Sequence, residues 1–361
     1  MNVPAFSDAL HPNNASPDDA TPVLSVVIPV FNGAKYITDC LYSVATAVNG
    51  LTEQERAQIE VVLCDNHSTD NTVALAGMIT LGCAFRVIHP PEHFENRAFN
   101  WHHGLASARG TWMLMLHADD ALAPAGLAAI LRAARHPSAS RATAIGGRHQ
   151  TFTTETSQAS AAKPRWPFFA LLPGEALRRE VLAFHCPFVP FTVMRRDAYE
   201  RIGGLNTGYE LVQDWDLWIR LLAEGDFLFT PEVTGLWRVH GSPDKYMRVF
   251  AREHLALAAS LQTIIPGLSR PQIEQSLRLQ AARVTSWFPD ETVSAFSPDK
   301  TDAPGEAALL STTLRDLPRA RAAATLARAG RMIALRLYHL RLKGSARLLL
   351  HPKPGTAAGP A

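Results

Sequence analysis

The chain has 361 residues, and its 35 basic and 33 acidic side chains give a formal charge of +2, which excludes a strongly basic nucleic-acid-binding protein. No run approaches the roughly 18 apolar residues of a membrane-spanning helix, and we expect no signal peptide. The four cysteines form no close-spaced pair and are typical of reduced thiols in a cytoplasmic protein. A catalytic domain of about 220–250 residues with an extension is therefore expected.

Strands and helices alternate in the first part of the predicted fold. The apolar run 23–31 predicts a strand, and apolar residues at helical spacing after the turn dipeptide Asn32-Gly33 predict a helix. A strand at 59–64 precedes another helix, followed by a short strand at 85–89, a helix through 100–108 and a strand at 112–116. This alternation favours an α/β fold with a mostly parallel, Rossmann-like sheet that carries helices on both faces.

Segments with polar residues lie at the carboxyl ends of three of these strands, namely Phe31-Asn32, Asp65-Asn66 and Asp119-Asp120. In sheets of this kind, ligands bind outside the carboxyl ends of the strands. We therefore expect the three polar clusters to lie at one edge of the sheet and to form a pocket.

Asp119 and Asp120 follow a buried strand and allow two interpretations. Burying a carboxylate without a partner is costly, so the pair could bind a cation or a polar ligand. Alternatively, the two residues could form a solvated turn in which Asp120 caps a helix that begins near Pro124.

Residues 24–124 resemble the N-terminal half of glycosyltransferase family two, the inverting nucleotide-sugar transferases with the GT-A fold. The matching segments are 25–33, 64–72, 98–100 with Gly104, Ala108 and Gly110, and 117–120 with Pro124. Segment 194–204 resembles the family's stretch before its catalytic acid, 213–221 the stretch that carries this acid, and 237–240 its late Arg-x-His element. The resemblance predicts a GT-A catalytic domain at 22–245. Composition predicts a disordered tail at 1–21, which lacks an apolar run, and a helical extension with a basic tail at 246–361.

The resemblance also implies a set of site residues. Asp119 and His240 would bind a divalent cation, Mn²⁺ or Mg²⁺, and Asp214 would be the catalytic residue. The nucleotide-sugar donor would contact a further set of residues, namely Pro29, Val30, Phe31, Asn32, Asp65, Asn66, Arg97, Ala118 and Asp120.

Two residues depart from the family pattern. His117 stands where the family has the first Asp of its Asp-x-Asp motif; imidazole is an acceptable ligand for manganese, whereas magnesium prefers oxygen. Asn66 replaces an Asp that, in many relatives, accepts a hydrogen bond from the N3–H of the pyrimidine base. An Asn carbonyl accepts this bond more weakly than a carboxylate. Uracil or thymine remains favoured over guanine.

Asp214 is the candidate general base, because sugar transfer needs a group that takes the acceptor's proton. Apolar side chains of the helix that follows would anchor its backbone, and aromatic neighbours would raise its pKa by desolvation. The alternative is that Asp214 is a helix N-cap. Arg97 has two interpretations as well, a phosphate ligand or a solvated helix residue.

The C-terminal tail carries only basic charges after Asp316, and residues 322–350 have a helical composition with one apolar stripe. One interpretation is a peripheral anchor on anionic lipid at the inner face of the cell membrane. The other is a helix that packs on the catalytic domain or on a second subunit of a homodimer.

Taken together, these features favour an inverting enzyme that moves a sugar from a UDP or dTDP donor to a glycan or lipid-linked acceptor in surface polysaccharide synthesis. One alternative is a catalytically weak protein that binds nucleotide sugars. A nucleotidyltransferase is disfavoured, because no Gly-rich, Arg-containing phosphate loop follows the first strand.

Overall fold

The computed structural model describes residues 21–153, 169–175, 178 and 191–239, single positions between 249 and 269, and residues 347–348. Its strands are β1 (Leu24–Val30), β2 (Ile59–Asp65), β3 (Ala84–Ile88), β4 (Trp112–Met115), β5 (Ala121–Leu122), β6 (Ala142–Phe152), β7 (Ala170–Leu172), β8 (Val193–Arg195), β9 (Asp226–Arg238) and β10 (Arg347–Leu348). Its helices are α1 (Ile37–Asn49), α2 (Glu53–Arg56), α3 (Thr72–Gly77), α4 (Arg97–Ala106), α5 (Gly126–Ala134), α6 (Arg196–Arg201) and α7 (Gln213–Glu224), with a 3₁₀ helix at Pro137–Arg141.

One mixed sheet runs through the molecule in the order β10-β7-β9-β6-β8-β4-β1-β2-β3, with β5 paired to β9. The strands β3, β2, β1 and β4 are parallel to one another, as the sequence predicts. Strand β8 lies antiparallel between β4 and β6, while β6 and β9 are again parallel. The alternation of strands and helices thus builds a parallel half that ends at the predicted polar edge.

Helices cover both faces of the sheet, as predicted. Alternate residues of β1 point to opposite sides, so Val26 and Ile28 join one apolar cluster and Val27 joins the other. The first cluster includes α1 and α5, and the second includes α4, α6 and α7. Gly104 lets α4 approach closely, since a Cβ there would lie 2.9 Å from Val27 Cγ1.

Several predictions for the chain ends lie outside the described residues. These include the disordered tail at 1–21, of which only residue 21 is described, and most of the basic tail. Residues 347 and 348 are an exception, because they form β10 against β7 where the sequence pattern predicts a helix. Cys40, Cys64 and Cys83 are free thiols, whereas Cys186 is outside the described part. Within that part, no helix combines the length and apolar character that a membrane crossing requires.

Glu60 is a buried carboxylate in β2 that links the four parallel strands. Its Oε1 accepts hydrogen bonds from Ser25 Oγ in β1 (2.6 Å) and from the Arg109 N–H before β4 (2.7 Å). Its Oε2 accepts hydrogen bonds from Arg109 Nε (3.0 Å) and from Arg86 Nε in β3 (3.2 Å). Burial alone would raise the pKa of Glu60, but these donors hold it below its ordinary value.

We expect Glu60→Gln to lower the free energy of unfolding by about 3 kcal/mol, because it leaves two guanidinium groups without their shared carboxylate. Urea denaturation at neutral pH measures this loss. Because folding lowers the pKa of Glu60, its contribution is present above the unfolded pKa and is lost as the pH falls through the folded one. The difference between wild type and variant should therefore shrink in acid. Glu53→Gln, at an exposed helix position, is the matched control; equal losses in both variants would contradict the role of Glu60.

Candidate active site

The loops after β1 and β2 are joined to each other. The Asn32 N–H donates to Ser68 Oγ (2.8 Å), and Asn32 Oδ1 accepts from the Thr69 N–H (2.8 Å). Asn32 has a φ of 48°, a left-handed conformation that Asn tolerates better than most residues. These bonds fix the strand end so that the neighbouring Phe31 side chain stays 48% exposed.

The side chains of Asn66 and Asp65 both form hydrogen bonds with backbone groups. The Asn66 side chain donates to Phe94 O (2.8 Å) and accepts from the Phe94 N–H (2.9 Å), which fastens the loop before α4 to the end of β2. Asp65 Oδ2 accepts from the Ser68 N–H (3.1 Å). Within the described part of the chain, its buried Oδ1 has no hydrogen-bond partner. The predicted base contact of Asn66 would thus use the second lone pair of an engaged carbonyl.

Three histidines, none of them a predicted site residue, lie at this part of the edge. The His93 ring lies 4.6 Å from the Phe31 ring, and its Nδ1 is 3.0 Å from Asn66 O. The ring centroids of His67 and His89 lie 5.7 Å apart, and His89 Nδ1 lies 3.3 Å from Asp65 Oδ2. Their scattered sequence positions gave no signal that they meet.

The carboxylate loop, residues 117–120, follows β4. His117, Asp119 and Asp120 each offer a ligand atom, and these atoms lie within 4.8 Å of one another. Asp120 is buried, and its Oδ1 accepts from the Arg238 N–H (2.8 Å). Burial and the neighbouring Asp119 raise the pKa of Asp120 to about 7, although Arg238 opposes the shift. Helix α5 begins at Gly126 without a side-chain cap, so the alternative that Asp120 caps it is wrong.

Arg238, at the end of β9, holds this loop from the other half of the sheet. Its Nε donates to Asp119 O (2.7 Å) and its Nη2 to Asp39 Oδ2 (3.2 Å). The guanidinium lies over the rings of Phe152 (4.4 Å) and Tyr36 (5.0 Å). The side chain is only 4% exposed. Arg238 belongs to the predicted Arg-x-His element, but the spacing of that element does not indicate these contacts with Asp119 and Asp39.

His117 and Arg97 both contact the ring of Trp101. The His117 ring meets Trp101 edge-on at 4.8 Å, and the Arg97 guanidinium lies 5.2 Å from the same ring. Burial lowers the pKa of His117, with Asp119 opposing and Arg97 reinforcing the effect. The neutral imidazole has a nitrogen lone pair that can bind a metal.

The donor set of the carboxylate loop fits a divalent cation. Two carboxylates and one neutral imidazole suit manganese better than magnesium, which demands oxygen ligands. The predicted ligand Asp119 belongs to the set, whereas the predicted ligand His240 lies outside the described residues. The set adds His117, which is not one of the two predicted metal ligands.

Asp214 lies in the first turn of α7 and is half-buried. Burial raises its pKa to about 6, while the Trp215 N–H, which donates to Oδ1 (2.8 Å), and the charge of Arg97 oppose the shift. The N-cap of α7 is Val212, so the alternative that Asp214 is the cap is wrong. Asp216, two residues further on, is buried and paired with Arg220, whose Nε donates to Oδ2 (2.9 Å).

The remaining predicted residues are placed as follows. Pro29 and Val30 are buried at the end of β1, and Val30 O accepts from the Asn66 N–H (2.9 Å). Ala118 is half-buried within the carboxylate loop. Arg97 begins α4, and its Nε donates to Glu210 O (3.1 Å), which joins α4 to the segment before Asp214.

Residues 25–203 match the family model described as Glycosyl transferase family 2. This part of the chain belongs to that family. A PGL/p-HBAD biosynthesis glycosyltransferase of Mycobacterium bovis is 28% identical over 204 residues, which cover 56% of this chain and 70% of that protein. The family and this relative support glycosyltransferase activity for the chain.

Solved structures confirm that the family 2 domain has the GT-A fold. The structure of S. aureus TarS 1-349 in complex with UDP superposes with a TM-score of 0.59 at 16% identity, over 85% of this chain and 91% of that one. The mannosyltransferase PcManGT from Pyrobaculum calidifontis, in complex with GDP-Man and Mn²⁺, gives a TM-score of 0.52 at 18% identity, over 91% and 90% of the two chains.

Proposed function

We propose that this chain is an inverting glycosyltransferase that moves a sugar from a nucleoside-diphosphate donor to a hydroxyl of a glycan or lipid-linked acceptor. The observation that carries the proposal is the position of Arg97 between the carboxylate loop and the segment that leads to Asp214. Its guanidinium lies 5.2 Å from the Trp101 ring, which contacts His117, and its Nε donates to Glu210 O (3.1 Å), four residues before Asp214. A cation ligand set and a base with a raised pKa are the two parts that this reaction requires.

The donor's base would lie at the edge formed by Phe31 and the loop that Asn66 holds. The exposed Phe31 ring, with His93 beside it, offers a stacking surface. Uracil or thymine is the proposed base, with Asn66 Oδ1 accepting from its N3–H. The TarS complex contains UDP and the PcManGT complex GDP-Man, so this fold accommodates more than one base.

Asp119 and His117, with Asp120 behind them, would hold Mn²⁺ or Mg²⁺ at the carboxylate loop, and His240 is a further proposed ligand. The bound cation would supply positive charge to the diphosphate as it leaves. Arg238 keeps Asp119 in place through its backbone carbonyl. Arg97 would add a guanidinium near the same oxygens.

Asp214 would act on the acceptor. Its carboxylate takes the proton of the attacking hydroxyl, whose oxygen forms a bond to the anomeric carbon. The bond from that carbon to the diphosphate oxygen breaks, and its electron pair stays with the nucleoside diphosphate. A single displacement inverts the anomeric centre. The alternative of a catalytically weak binding protein predicts donor binding without turnover.

Acceptor and location are further proposals. We place the enzyme in surface polysaccharide synthesis, in the cytoplasm and in peripheral contact with the membrane through its basic tail. The domain boundaries at 22–245 and 246–361 remain proposals as well.

A thermal-shift panel tests the proposed donor class. Nucleoside diphosphates and their sugars are added with and without Mn²⁺, and the true donor should raise the Tm most, because a ligand stabilises the fold that binds it. Release of nucleoside diphosphate from the selected donor then separates an enzyme from a binding protein. No shift with any nucleotide sugar would contradict the proposal.

We expect Asp119→Ala to lose Mn²⁺-dependent donor binding while the fold survives, because the carboxylate is a metal ligand. Calorimetry with nucleoside diphosphate, with and without Mn²⁺, measures the effect. Asp197→Ala, at an exposed ion pair in α6, is the control and should bind normally. Equal Mn²⁺-dependent affinity in wild type and Asp119→Ala would remove Asp119 from the metal site.

We expect Asp214→Asn to lower turnover by roughly 10² to 10⁴, with little change in donor affinity, because an amide cannot accept the proton. In wild type, kcat/KM should rise with pH up to about 6, as Asp214 loses its proton, and then level off. This rise of kcat/KM with pH should be absent in Asp214→Asn. Asp197→Asn, also in the first turn of a helix, is the matched control. Near-normal turnover by Asp214→Asn would rule out this base.

The membrane proposal has its own test in the full-length chain. Arg328→Gln, Arg331→Gln and Arg336→Gln together should weaken binding to phosphatidylserine vesicles by roughly 1 kcal/mol per charge. The effect should fade at high salt, because surface charges are screened. Sedimentation with vesicles measures it. If the wild-type protein does not bind these vesicles at low salt, the proposed membrane anchor is wrong.

A further inference from the structure

Helix α7 starts without a cap of its own. Its N-cap residue is Val212, and no side chain of the helix start accepts a hydrogen bond in the capping position. The N–H groups at a helix start need acceptors, and Ser, Thr, Asp or Asn normally supplies one. An apolar N-cap therefore calls for an acceptor from elsewhere in the molecule.

Glu253 provides an acceptor from far along the chain, for the N–H of the N-cap Val212 and for the two N–H groups before it. Its Oε1 accepts from the Glu210 N–H (2.7 Å), and its Oε2 accepts from the N–H groups of Leu211 (2.7 Å) and Val212 (3.2 Å). Its side chain is only 8% exposed. Successive amides that converge in this way form a nest for an anion, and the positive end of the helix dipole adds to it.

The neighbours of Glu253 hold the same helix. The His254 ring meets Trp215 edge-on at 5.3 Å. Leu257 and Leu261 are buried in the apolar cluster that also contains Trp218. Residues beyond the matched family segment, 25–203, thus pack directly on α7.

We propose that Glu253 is a positioning residue that sets the place of Asp214 by fixing the three amides just before α7. The inference rests on the proposed function, in which Asp214 is the base. Asp214 follows Val212 by a single intervening residue, so a shift of the 210–212 segment moves its carboxylate directly. Misplacement by about 1 Å is enough to lower turnover by about 10²-fold.

Glu253→Gln tests the proposal, because an amide keeps the shape but turns an NH₂ group toward backbone donors. We expect kcat to fall by about 10- to 100-fold, while the Kd of the donor with Mn²⁺ changes less than about twofold. Glu55→Gln is the matched control. Glu55 also accepts a backbone N–H at a helix start, from Thr52 (3.2 Å), but it lies in α2. The kcat of Glu55→Gln should equal that of wild type.

A double-mutant cycle separates positioning from general destabilisation. If Glu253 acts through Asp214, Glu253→Gln should lower kcat in wild type but change it little in the Asp214→Asn background. Equal losses in both backgrounds, or an unchanged kcat in wild type, would overturn the inference. Should the Gln variant fail to fold, Glu253→Asp replaces it in the cycle, because its shorter side chain withdraws the carboxylate from the amides.

The cycle also distinguishes this inference from the proposed function. If Asp214→Asn is nearly as active as wild type, the proposed base is wrong and the inference falls with it. If Asp214→Asn is inactive but Glu253→Gln has normal kcat, only the inference is wrong.

Discussion

The buried carboxylate of Glu60 is the interaction on which the parallel half of the sheet depends. This carboxylate, in β2, accepts hydrogen bonds from Ser25 in β1, from Arg86 in β3 and from Arg109 in the segment before β4. A charge at this depth is tolerable only because its oxygens are saturated by hydrogen bonds. These contacts lie at the amino ends of the strands and fix their register, so the loops at the carboxyl ends emerge side by side.

A second set of contacts joins this half of the sheet to the other. Arg238 reaches from β9 to the carbonyl of Asp119 and to the side chain of Asp39 in α1. The same residue donates its backbone N–H to Asp120. Arg238 thus holds the carboxylate loop at both Asp119 and Asp120, which keeps closely spaced acidic groups in one arrangement despite their mutual repulsion.

Local patterns predicted the parts of the site that lie close together in the sequence. Strand periodicity and the polar residues after each strand placed Asp119 at the correct edge, and the family resemblance singled out Asp214. The pairing of Asn66 with Phe94, the contacts of Arg238 and the Glu253 contact were missed. Each joins residues 28 or more positions apart, and such contacts depend on how elements pack rather than on spacing. Both capping alternatives were wrong because tertiary acceptors and donors replaced the local ones.

The sequence separation between the partners of these contacts sets the order in which the contacts can form during protein synthesis. A ribosome releases the chain from its N-terminus, and the parallel strands can pair as soon as β4 has emerged. Asp120 then lacks its partner until Arg238 is synthesised, 118 residues later, and the Glu210 N–H lacks its acceptor until Glu253 is synthesised, 43 residues after Glu210. These contacts can therefore form in sequence, first those of the parallel half of the sheet, then the contact of Arg238 with the carboxylate loop and last the contact before the helix that carries Asp214. A product that terminates early, between β9 and Glu253, would contain β1 to β9 and the carboxylate loop but not the contact that fixes the start of α7.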